Sequence, residues 1–310
     1  MTGQPLISIV SPVYKAELIV HELVKRIVEE TSKITPDFEI VLVEDGGPDN
    51  SWDRIAEEAA ADVRVKGIKL SRNFGQQYAI TAGLNCAKGD YVVVMDCDLQ
   101  DNPKYIVDLY AKALEGNDIV YTKKNERKHG AIKNLLAGFF FWVFNFLTNN
   151  QRADSKTGAY SMLSRKAVNA FCSVKEYHRH YLMILRLIGF KSDHIVVVHE
   201  ERFEGKTSYN LAKLISLAIN GIASQSDKLL RLSISLGFAL FFISIIWSSY
   251  LIYIYFSLNI PAGYTSIMVM LLLSTGLILM SIGITGLYIS KIFDQVKNKP
   301  LYIIDKSINV

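Results

Sequence analysis

The segment YVVVMDCDLQD at residues 91–101 decides the fold. Its first five residues form an apolar run rich in valine, which is typical of a strand buried on both faces of a parallel sheet. The run ends abruptly in acidic residues. In α/β sheets, ligands bind outside the carboxyl ends of the strands. The segment therefore predicts a central strand with a ligand site at residues 96–101.

Similar apolar runs alternate with amphipathic stretches through the first 124 residues. The predicted strands are LISIVSPVY (6–14), FEIVLVEDG (38–46), VKGIKLS (65–71) and DIVYTKK (118–124). Helical stretches lie at 21–33, 51–60, 76–87 and 103–115. Strands that alternate with helices indicate βαβ units around a mostly parallel sheet. The sequence predicts an α/β domain whose strand ends carry the site.

Two acidic residues form the candidate chemical centre. Asp96 and Asp98 are separated by one residue, so strand alternation places both on one side and Cys97 on the other. Paired carboxylates suit Mg²⁺ or Mn²⁺, which bind hard oxygen ligands and substrate phosphates. Such a metal neutralises a departing diphosphate. The alternative, an acidic turn before Pro103, stays open for this pair taken alone.

Two other phosphate-binding classes are excluded by the motifs. No GxGxxG follows the first predicted strand, and no GxxxxGK[ST] occurs anywhere in the chain. These glycine-rich loops cradle phosphates in dinucleotide oxidoreductases and P-loop ATPases. The net charge of +4 over 310 residues is too small to indicate a nucleic-acid partner. The predicted site therefore requires another kind of phosphate chemistry.

The apolar residues are concentrated near the carboxyl terminus. From Leu232 to Ser290 no residue is charged. A membrane helix needs about 20 apolar residues, and Pro261 and Gly263 favour a turn within the stretch. We predict transmembrane helices at about 232–256 and 265–289. The alternative is a pair of buried core helices.

Flanking charges predict the orientation of these helices. Basic residues lie on both outer flanks and none lies in the connecting loop; they are Lys228, Arg231, Lys291, Lys297 and Lys299. Positive flanks face the cytoplasm. The amino-terminal sequence has no secretory-signal pattern, so we expect residues 1–230 in the cytosol. Three unclustered cysteines, at 86, 97 and 172, fit reduced packing residues.

The soluble part also contains two candidate interfacial helices. AGFFFWVFNFL at 137–147 is aromatic, too short to span a bilayer, and flanked by basic residues. A buried core helix is its alternative. Residues 210–230 have an apolar stripe that leads into the first span. We expect a catalytic domain at 1–205, a juxtamembrane amphipathic helix at 206–230, spans within 231–290 and a cytoplasmic tail at 291–310.

Several ordered motifs resemble those of a known family. They are SIVSPVY (8–14), VLVEDGGPDNS (41–51), LSRNFGQQYAITAGL (70–84) and GDYVVVMDCDLQDNP (89–103). Together they resemble the inverting nucleotide-sugar glycosyltransferases with the GT-A fold. ERFEGKTSYNLAKLISLAINGI (201–222) and the tail at 281–304 resemble the polyprenyl phosphate branch, which includes bactoprenol glucosyltransferases and dolichol phosphate mannose synthases.

The resemblance implies a role for each matching donor-site position. Seven residues would contact the nucleotide: Pro12, Tyr14, Glu17, Asp45, Arg72, Asn73 and Asp96. Asp98 and Gln100 would hold Mg²⁺ or Mn²⁺ against the diphosphate. Glu17 has an alternative role as an acid in the first turn of a helix, where the dipole favours it.

The acceptor implied by the resemblance is a polyprenyl phosphate. A phosphate monoester is mostly dianionic at neutral pH, so the enzyme needs positive charge to hold it near the diphosphate. Five basic residues match the family's phosphate-binding positions: Lys124, Arg127, Lys133, Arg202 and Lys206. Asp98, Asp154 and Arg202 are the candidate catalytic residues. For any single lysine, a solvated surface position is the alternative.

One segment departs from the family's pattern. In ADSKTGAYSMLSRKAV (153–168), Gly158 and Tyr160 match, whereas Lys156, Ala159 and Ser161 replace an acid, an acid and an arginine. Asp154 either substitutes for the missing carboxylate or marks a branch that uses another sugar. His178 and His180 are spaced for a metal but lack a third ligand, so a polar loop is the favoured interpretation.

The leading hypothesis is transfer of one sugar from a nucleotide diphosphate donor to undecaprenyl phosphate, with inversion. The product would supply cell-surface glycan modification, and UDP-glucose is the donor that the resemblance implies. The enzyme would lie in the cytoplasmic membrane as a homo-oligomer, with a tetramer as one form. Its alternatives are a processive polysaccharide synthase, whose QxxRW motif is absent from the sequence, and a non-catalytic nucleotide-sensing scaffold.

Overall fold

A computed structural model describes residues 6–124, 157–198 and 263–310, together with scattered positions between 230 and 257. The described residues fall into two compact units. One contains residues 6–124, 157–198 and 299–310, and it is the α/β domain. The other contains the described positions from 230 to 298.

The α/β domain consists of a layered arrangement of strands and helices in chain order. Its strands are β1 (Ile7–Val13), β2 (Phe38–Glu44), β3 (Val65–Leu70), β4 (Tyr91–Val94), β5 (Ile119–Lys124), β6 (Thr157–Ser164), β7 (Ser192–Val197) and β8 (Ile304–Ile308). Its helices are α1 (Val20–Thr31), α2 (Ser51–Ala61), α3 (Gln76–Cys86), α4 (Tyr105–Leu114), α5 (Arg165–Ser173) and α6 (Tyr181–Ile188).

The described strands form one sheet in the order β7-β5-β6-β4-β1-β2-β3-β8. β1 pairs in parallel with both β2 and β4, and β2 pairs in parallel with β3. β6 is antiparallel to β4 and β5, and β8 is antiparallel to β3. The predicted mostly parallel α/β sheet is confirmed. Its first five strands all overlap the segments predicted from the sequence.

Both faces of the sheet are covered by helices. One layer packs α1, α2 and α4 against residues such as Ile9 and Val93. The other packs α3, α5 and α6 against neighbours of opposite parity, such as Val10 and Val94. This alternation explains why the strands read as continuous apolar runs. The three cysteines are free, as the sequence predicted.

Helix α3 lies unusually close to the sheet. A Cβ atom on Gly83 would lie 2.3 Å from Cγ1 of Val10 and 3.2 Å from Cγ2 of Val43. Only glycine permits this approach, because the neighbouring atoms belong to buried strands. The carboxyl-terminal half of α3 therefore packs directly on β1 and β2 at this point.

Strand β8 was not predicted from the sequence. Residues 304–308 pair with 67–70 of β3 and form an edge of the sheet. Asn309 Nδ2 donates hydrogen bonds to the carbonyls of Ala59 and Val65, at 2.8 and 3.0 Å. The α/β domain therefore includes residues 299–310 in addition to the range predicted for it.

The second unit contains one long described helix, α7 (Tyr264–Val296). Residues Ser274–Val296 have a mean hydropathy of 1.7 and none of that segment is buried, so the helix is long and apolar enough to cross a membrane. The predicted second span, 265–289, lies within α7. The predicted first span and the candidate interfacial helices at 137–147 and 210–230 lie wholly or mostly outside the described residues.

Candidate active site

The predicted donor-site residues lie at one edge of the sheet. β1, β2, β3 and β4 run in the same direction, so their carboxyl ends meet there. Pro12 lies near the end of β1, and Tyr14, just beyond it, is 44% exposed. The chain segments that follow β2, β3 and β4 contribute the remaining groups. Several polar strand ends therefore meet at one edge of the sheet, and their use as one ligand site stays a prediction.

Two of these loops are joined by hydrogen bonds. The amide of Ala16 donates to Ser51 Oγ at 2.9 Å, and that of Glu17 donates to Asp49 Oδ2 at 3.2 Å. In return, Asn50 donates its backbone and side-chain N–H groups to the Glu17 carboxylate at 3.3 and 3.1 Å. The Glu17 side chain thus ties the loop after β1 to the loop after β2.

Asp45 organises the loop that follows β3. Its carboxylate is almost fully buried and accepts hydrogen bonds from the amides of Phe74 and Gly75, at 2.8 and 2.9 Å. Burial raises the pKa of Asp45, and the two amides and the nearby Arg72 oppose that rise. The Arg72 guanidinium lies 4.1 Å from the centre of the Phe74 ring, a cation–π contact.

The loop after β2 requires glycine at its closest approach to this segment. Gly46 has φ of 59°, and a Cβ atom there would lie 2.3 Å from backbone atoms of Arg72 and Asn73. Both features exclude other side chains. The predicted nucleotide residues Asp45, Arg72 and Asn73 are therefore brought together by the structure.

Glu44 is a buried carboxyl group beside this loop that the sequence analysis did not select. It is 1% exposed, accepts a hydrogen bond from the amide of Gly47 through Oε1, and burial raises its pKa. Its Oε2 atom has no hydrogen-bond partner in the part of the chain that the structure describes. A strand-end acid at the centre of VLVEDGG was the available signal.

The acid pair lies in a tight turn directly after β4. The amide of Met95 donates to the carbonyl of Val10 at 3.1 Å, which continues the pairing with β1 to the edge of the site. The amide of Gln100 donates to Asp98 Oδ1 at 3.2 Å. Leu99 is buried with φ of 57°, a left-handed conformation that non-glycine residues rarely adopt.

Cys97 lies between the two acids and packs against the core. Burial raises the pKa of its thiol to about 12, and the adjacent Asp96 adds to the rise. The thiol is therefore protonated and unreactive at neutral pH. β4 ends at Val94, so the turn rather than strand alternation sets this packing, and the placement of Asp96 and Asp98 on the other side stays a prediction.

The donor set in this turn fits a hard divalent cation. Asp98 and the Gln100 amide supply oxygen ligands, and the described residues contain no cluster of three or more acidic, His or Cys side chains that could hold a metal. Mg²⁺ and Mn²⁺ typically bind one or two carboxylates and complete their shell with substrate phosphates and water. The residues present therefore match a metal that binds together with a diphosphate.

Gln76 is a further site residue that the sequence analysis did not select. Its side-chain Nε2 donates to Asp96 Oδ1 at 2.6 Å. The residue opens α3 directly after Gly75, within the motif LSRNFGQQYAITAGL. That motif was the available signal, but it does not reveal which strand end the glutamine reaches.

The acceptor side of the site is only partly described. β5 ends at Lys124, whose strand runs in the same direction as β4, so its backbone reaches the same edge. Arg127, Lys133, Asp154, Arg202 and Lys206 lie outside the described residues. β6 begins at this edge with Thr157, Gly158 and Ala159.

Part of the segment that departs from the family's sequence pattern, residues 157–164, forms strand β6. This strand pairs with β4, which leads into the acid pair. Ser161 pairs in register with Val94 of β4, and its buried hydroxyl lies 2.8 Å from the hydroxyl of Tyr181. Ser161 thus occupies a closely packed position where the resembling enzymes have an arginine. His178 and His180 lie in the segment that leads into α6, which agrees with their interpretation as loop residues.

The fold and the edge site define a class of protein: a glycosyltransferase that binds a nucleotide-sugar on a GT-A α/β sheet. Residues 8–171 match the profile of the family described as "Glycosyl transferase family 2". The match covers more than half of the chain. This protein therefore belongs to glycosyl transferase family 2, and it is an enzyme of the glycosyltransferase class.

Full-length relatives support the same assignment. The chain is 34% identical over 98% of its length to "Uncharacterized glycosyltransferase YkcC" of Bacillus subtilis (strain 168), covering 94% of that protein. It is 33% identical over 97% of its length to the "SfII prophage-derived bactoprenol glucosyl transferase" of Shigella flexneri, covering 98% of that protein.

A solved structure shows the same fold. Glucosyl-3-phosphoglycerate synthase from Mycobacterium tuberculosis, in complex with Mn²⁺, uridine diphosphate and phosphoglyceric acid, aligns with a TM-score of 0.51 at 17% identity. The alignment covers 71% of this chain and 76% of that one. At this identity the likeness concerns the fold alone.

Proposed function

We propose that this enzyme transfers a single sugar from a nucleotide diphosphate donor to polyprenyl phosphate, with inversion at the anomeric carbon. The observation that carries the proposal is the presence of two features in one chain. An acid pair follows β4 at the edge of a GT-A sheet, and the same chain carries a long apolar helix, α7, whose membrane-length segment is not buried. A lipid acceptor explains why a nucleotide-sugar enzyme carries such a helix.

The relatives give this proposal its acceptor and donor. A bactoprenol glucosyl transferase aligns over nearly the whole of both chains, including the apolar carboxyl-terminal region. Bactoprenol is a polyprenyl lipid, so undecaprenyl phosphate is the proposed acceptor and UDP-glucose the first donor to test. Because Lys156, Ala159 and Ser161 depart from the family's sequence pattern, the panel of donors to test includes sugars other than glucose.

The donor site follows from the loops already described. Pro12, Tyr14 and Glu17 after β1, and Asp45 with Arg72 and Asn73, would enclose the nucleotide. Asp96 would contact the nucleotide, and Asp98 with Gln100 would hold Mg²⁺ or Mn²⁺. When bound, the metal would neutralise charge that develops on the departing diphosphate.

The chain's own residues must also hold the acceptor. The phosphate monoester is already mostly dianionic at neutral pH, so its activation requires no strong base. Positive side chains must instead offset its repulsion from the diphosphate and align it for attack. Lys124, Arg127, Lys133, Arg202 and Lys206 are the proposed cations, and Asp154 is the proposed base or sugar ligand.

The proposed membrane arrangement has two spans. Helix α7 would be the second, and the segment at about 232–256 would be the first. Basic residues on both outer flanks support a cytoplasmic location for the catalytic domain and for both flanking segments. We further propose assembly into a homo-oligomer, with a tetramer as the first state to test.

The test is transfer of radiolabel from a panel of nucleotide-sugars to undecaprenyl phosphate by the purified full chain in detergent. One arm contains EDTA, and one uses Asp98→Ala. The matched control is Asp37→Ala, which removes an exposed aspartate just before β2, at the opposite edge of the sheet. Products are separated into lipid, polymer and aqueous fractions.

The proposal requires one labelled sugar in the lipid fraction, loss of that signal with EDTA and with Asp98→Ala, and retention with Asp37→Ala. Cleavage of the lipid product and analysis of its anomeric configuration then test inversion. Label in a polymer would support a processive synthase instead. Nucleotide binding without transfer to any acceptor would support the sensing scaffold.

A further inference from the structure

The first turn of α3 bonds to three other segments through three consecutive residues. Gln76 Nε2 donates to Asp96 Oδ1 at 2.6 Å. Gln77 Oε1 accepts a hydrogen bond from the amide of Tyr181 at 2.6 Å. The Tyr78 hydroxyl donates to the carbonyl of Tyr177 at 2.9 Å. Of these three contacts, only that of Gln76 reaches the acid pair.

This turn is a fixed point from which the Gln76 side chain extends. The preceding residues, Phe74 and Gly75, are held by the buried Asp45 carboxylate. The body of the helix is fixed because Gly83 packs directly on Val10. The backbone that carries Gln76 is therefore fixed, and it holds the side-chain amide within hydrogen-bond distance of Asp96.

Asp96, in contrast, follows the end of β4. Its strand ends at Val94, and the chain turns at once through the left-handed Leu99. Rotation about the Cβ–Cγ bond of an aspartate is intrinsically broad. A hydrogen bond from Gln76 to one carboxylate oxygen restricts that rotation. Because an amide is neutral, it orients the carboxylate without adding a charge to the site.

We propose that Gln76 is a positioning residue, which orients the Asp96 carboxylate for binding of the nucleotide-sugar. The inference rests on the proposed function in that Asp96 is taken to contact the donor nucleotide. Gln76 would thus be a functional residue outside the acid pair, and it links the loop held by Asp45 to the turn after β4. We expect Gln76 to control affinity for the donor and not affinity for the acceptor.

The main variant is Gln76→Ala, and its matched control is Gln77→Ala. Both remove a glutamine side chain from the same helical turn, but only the first removes the bond to Asp96. A hydrogen bond to a charged group contributes enough that its loss weakens binding about tenfold or more. We expect Gln76→Ala to raise the donor Kd and KM about tenfold and to change kcat less.

A second variant, Gln76→Met, keeps the approximate length of the side chain and removes its N–H donor. If the hydrogen bond to Asp96 positions that carboxylate, Gln76→Met weakens donor binding about as much as Gln76→Ala. If the side chain only fills space at the start of the helix, Gln76→Met keeps the wild-type donor Kd.

The experiment measures donor Kd by calorimetry with the full chain in detergent and Mn²⁺. The probe is the nucleotide-sugar that wild type transfers, or UDP if none is transferred. Thermal unfolding of both alanine variants checks that each is folded. The inference is supported if Gln76→Ala and Gln76→Met both bind the donor about tenfold more weakly than Gln77→Ala does.

Other outcomes separate the inference from the proposed function. Unchanged donor affinity in Gln76→Ala, in an enzyme that still labels the lipid, overturns the inference and leaves the function standing. Equal weakening in Gln76→Ala and Gln77→Ala also overturns it, because the effect then belongs to the helical turn. Weaker donor binding by Gln76→Ala alone, in a protein whose wild type labels no lipid, supports the inference and overturns the proposed acceptor.

Discussion

Asp45→Asn tests whether one buried carboxylate assembles the donor loop. The carboxylate accepts from the amides of Phe74 and Gly75 at 2.8 and 2.9 Å. A hydrogen bond to a charged acceptor contributes about 1.5–3 kcal/mol. The Asn variant keeps one oxygen but turns an NH₂ group toward the other amide, so one bond is lost and two donors face each other. We expect the free energy of unfolding to fall by about 2 kcal/mol.

Thermal unfolding of the detergent-solubilised protein provides the first measurement. For a domain of this size, a loss of about 2 kcal/mol corresponds to a fall of about 4–8 °C in Tm. Asp37→Asn is the control, because Asp37 is exposed and its side chain lies at the opposite end of the sheet. It should leave Tm within about 1 °C of wild type.

Donor kinetics provide the second measurement. The loop held by Asp45 contains Arg72 and Asn73, so loosening it should raise KM for the nucleotide-sugar more than it lowers kcat. The reasoning is refuted if Asp45→Asn keeps both the wild-type Tm and the wild-type donor KM. A fall in Tm with unchanged KM would confine Asp45 to a structural role.

Two further predictions concern buried carboxyl groups. Glu39 forms an almost buried ion pair with Lys66, so Lys66→Met should lower the free energy of unfolding by about 3–5 kcal/mol at neutral pH. Burial opposes ionisation of Glu39, but hydrogen bonds, first of all from Lys66, lower its pKa overall. In urea unfolding, the destabilisation caused by Lys66→Met should therefore shrink as the pH falls below about 4.5. A destabilisation that stays the same at low pH would contradict this prediction. Burial raises the pKa of Glu44, so its carboxyl stabilises the fold at low pH and loses that contribution as the pH rises through the raised pKa. Glu44→Gln should therefore gain Tm relative to wild type between about pH 4 and about pH 8, and a parallel pair of Tm curves would exclude this effect.

The sheet was predictable because its signal is local. Runs such as FEIVLVEDG and YVVVMD contain enough consecutive apolar residues to predict a buried strand. The polar residues that follow each run predict the carboxyl edge of the sheet. The family motifs then locate the nucleotide loops. The order of strands and the antiparallel insertion of β6 depend on long-range packing, which no short segment encodes.

The contacts within the site were less predictable. Asp45 was selected as a nucleotide residue, yet both its oxygens bind the backbone of the next loop. The hydrogen bond from Gln76 to Asp96 joins residues 20 positions apart, and the packing of α3 on β1 that accompanies it requires glycine at position 83. Strand β8 was missed because a five-residue edge strand with charged residues resembles a polar tail.

The pairing of β8 with β3 affects the order in which the domain forms during synthesis. Asn309 and the Val65 carbonyl that it binds are 244 residues apart. At typical translation rates of about 5–20 residues per second, the interval between synthesis of β3 and synthesis of β8 is roughly 12–50 s. During that time the apolar helix α7 leaves the ribosome first. Until β8 arrives, β3 is an exposed edge open to pairing with other chains. Completion of the sheet is therefore a late event, which follows synthesis of the apolar helix.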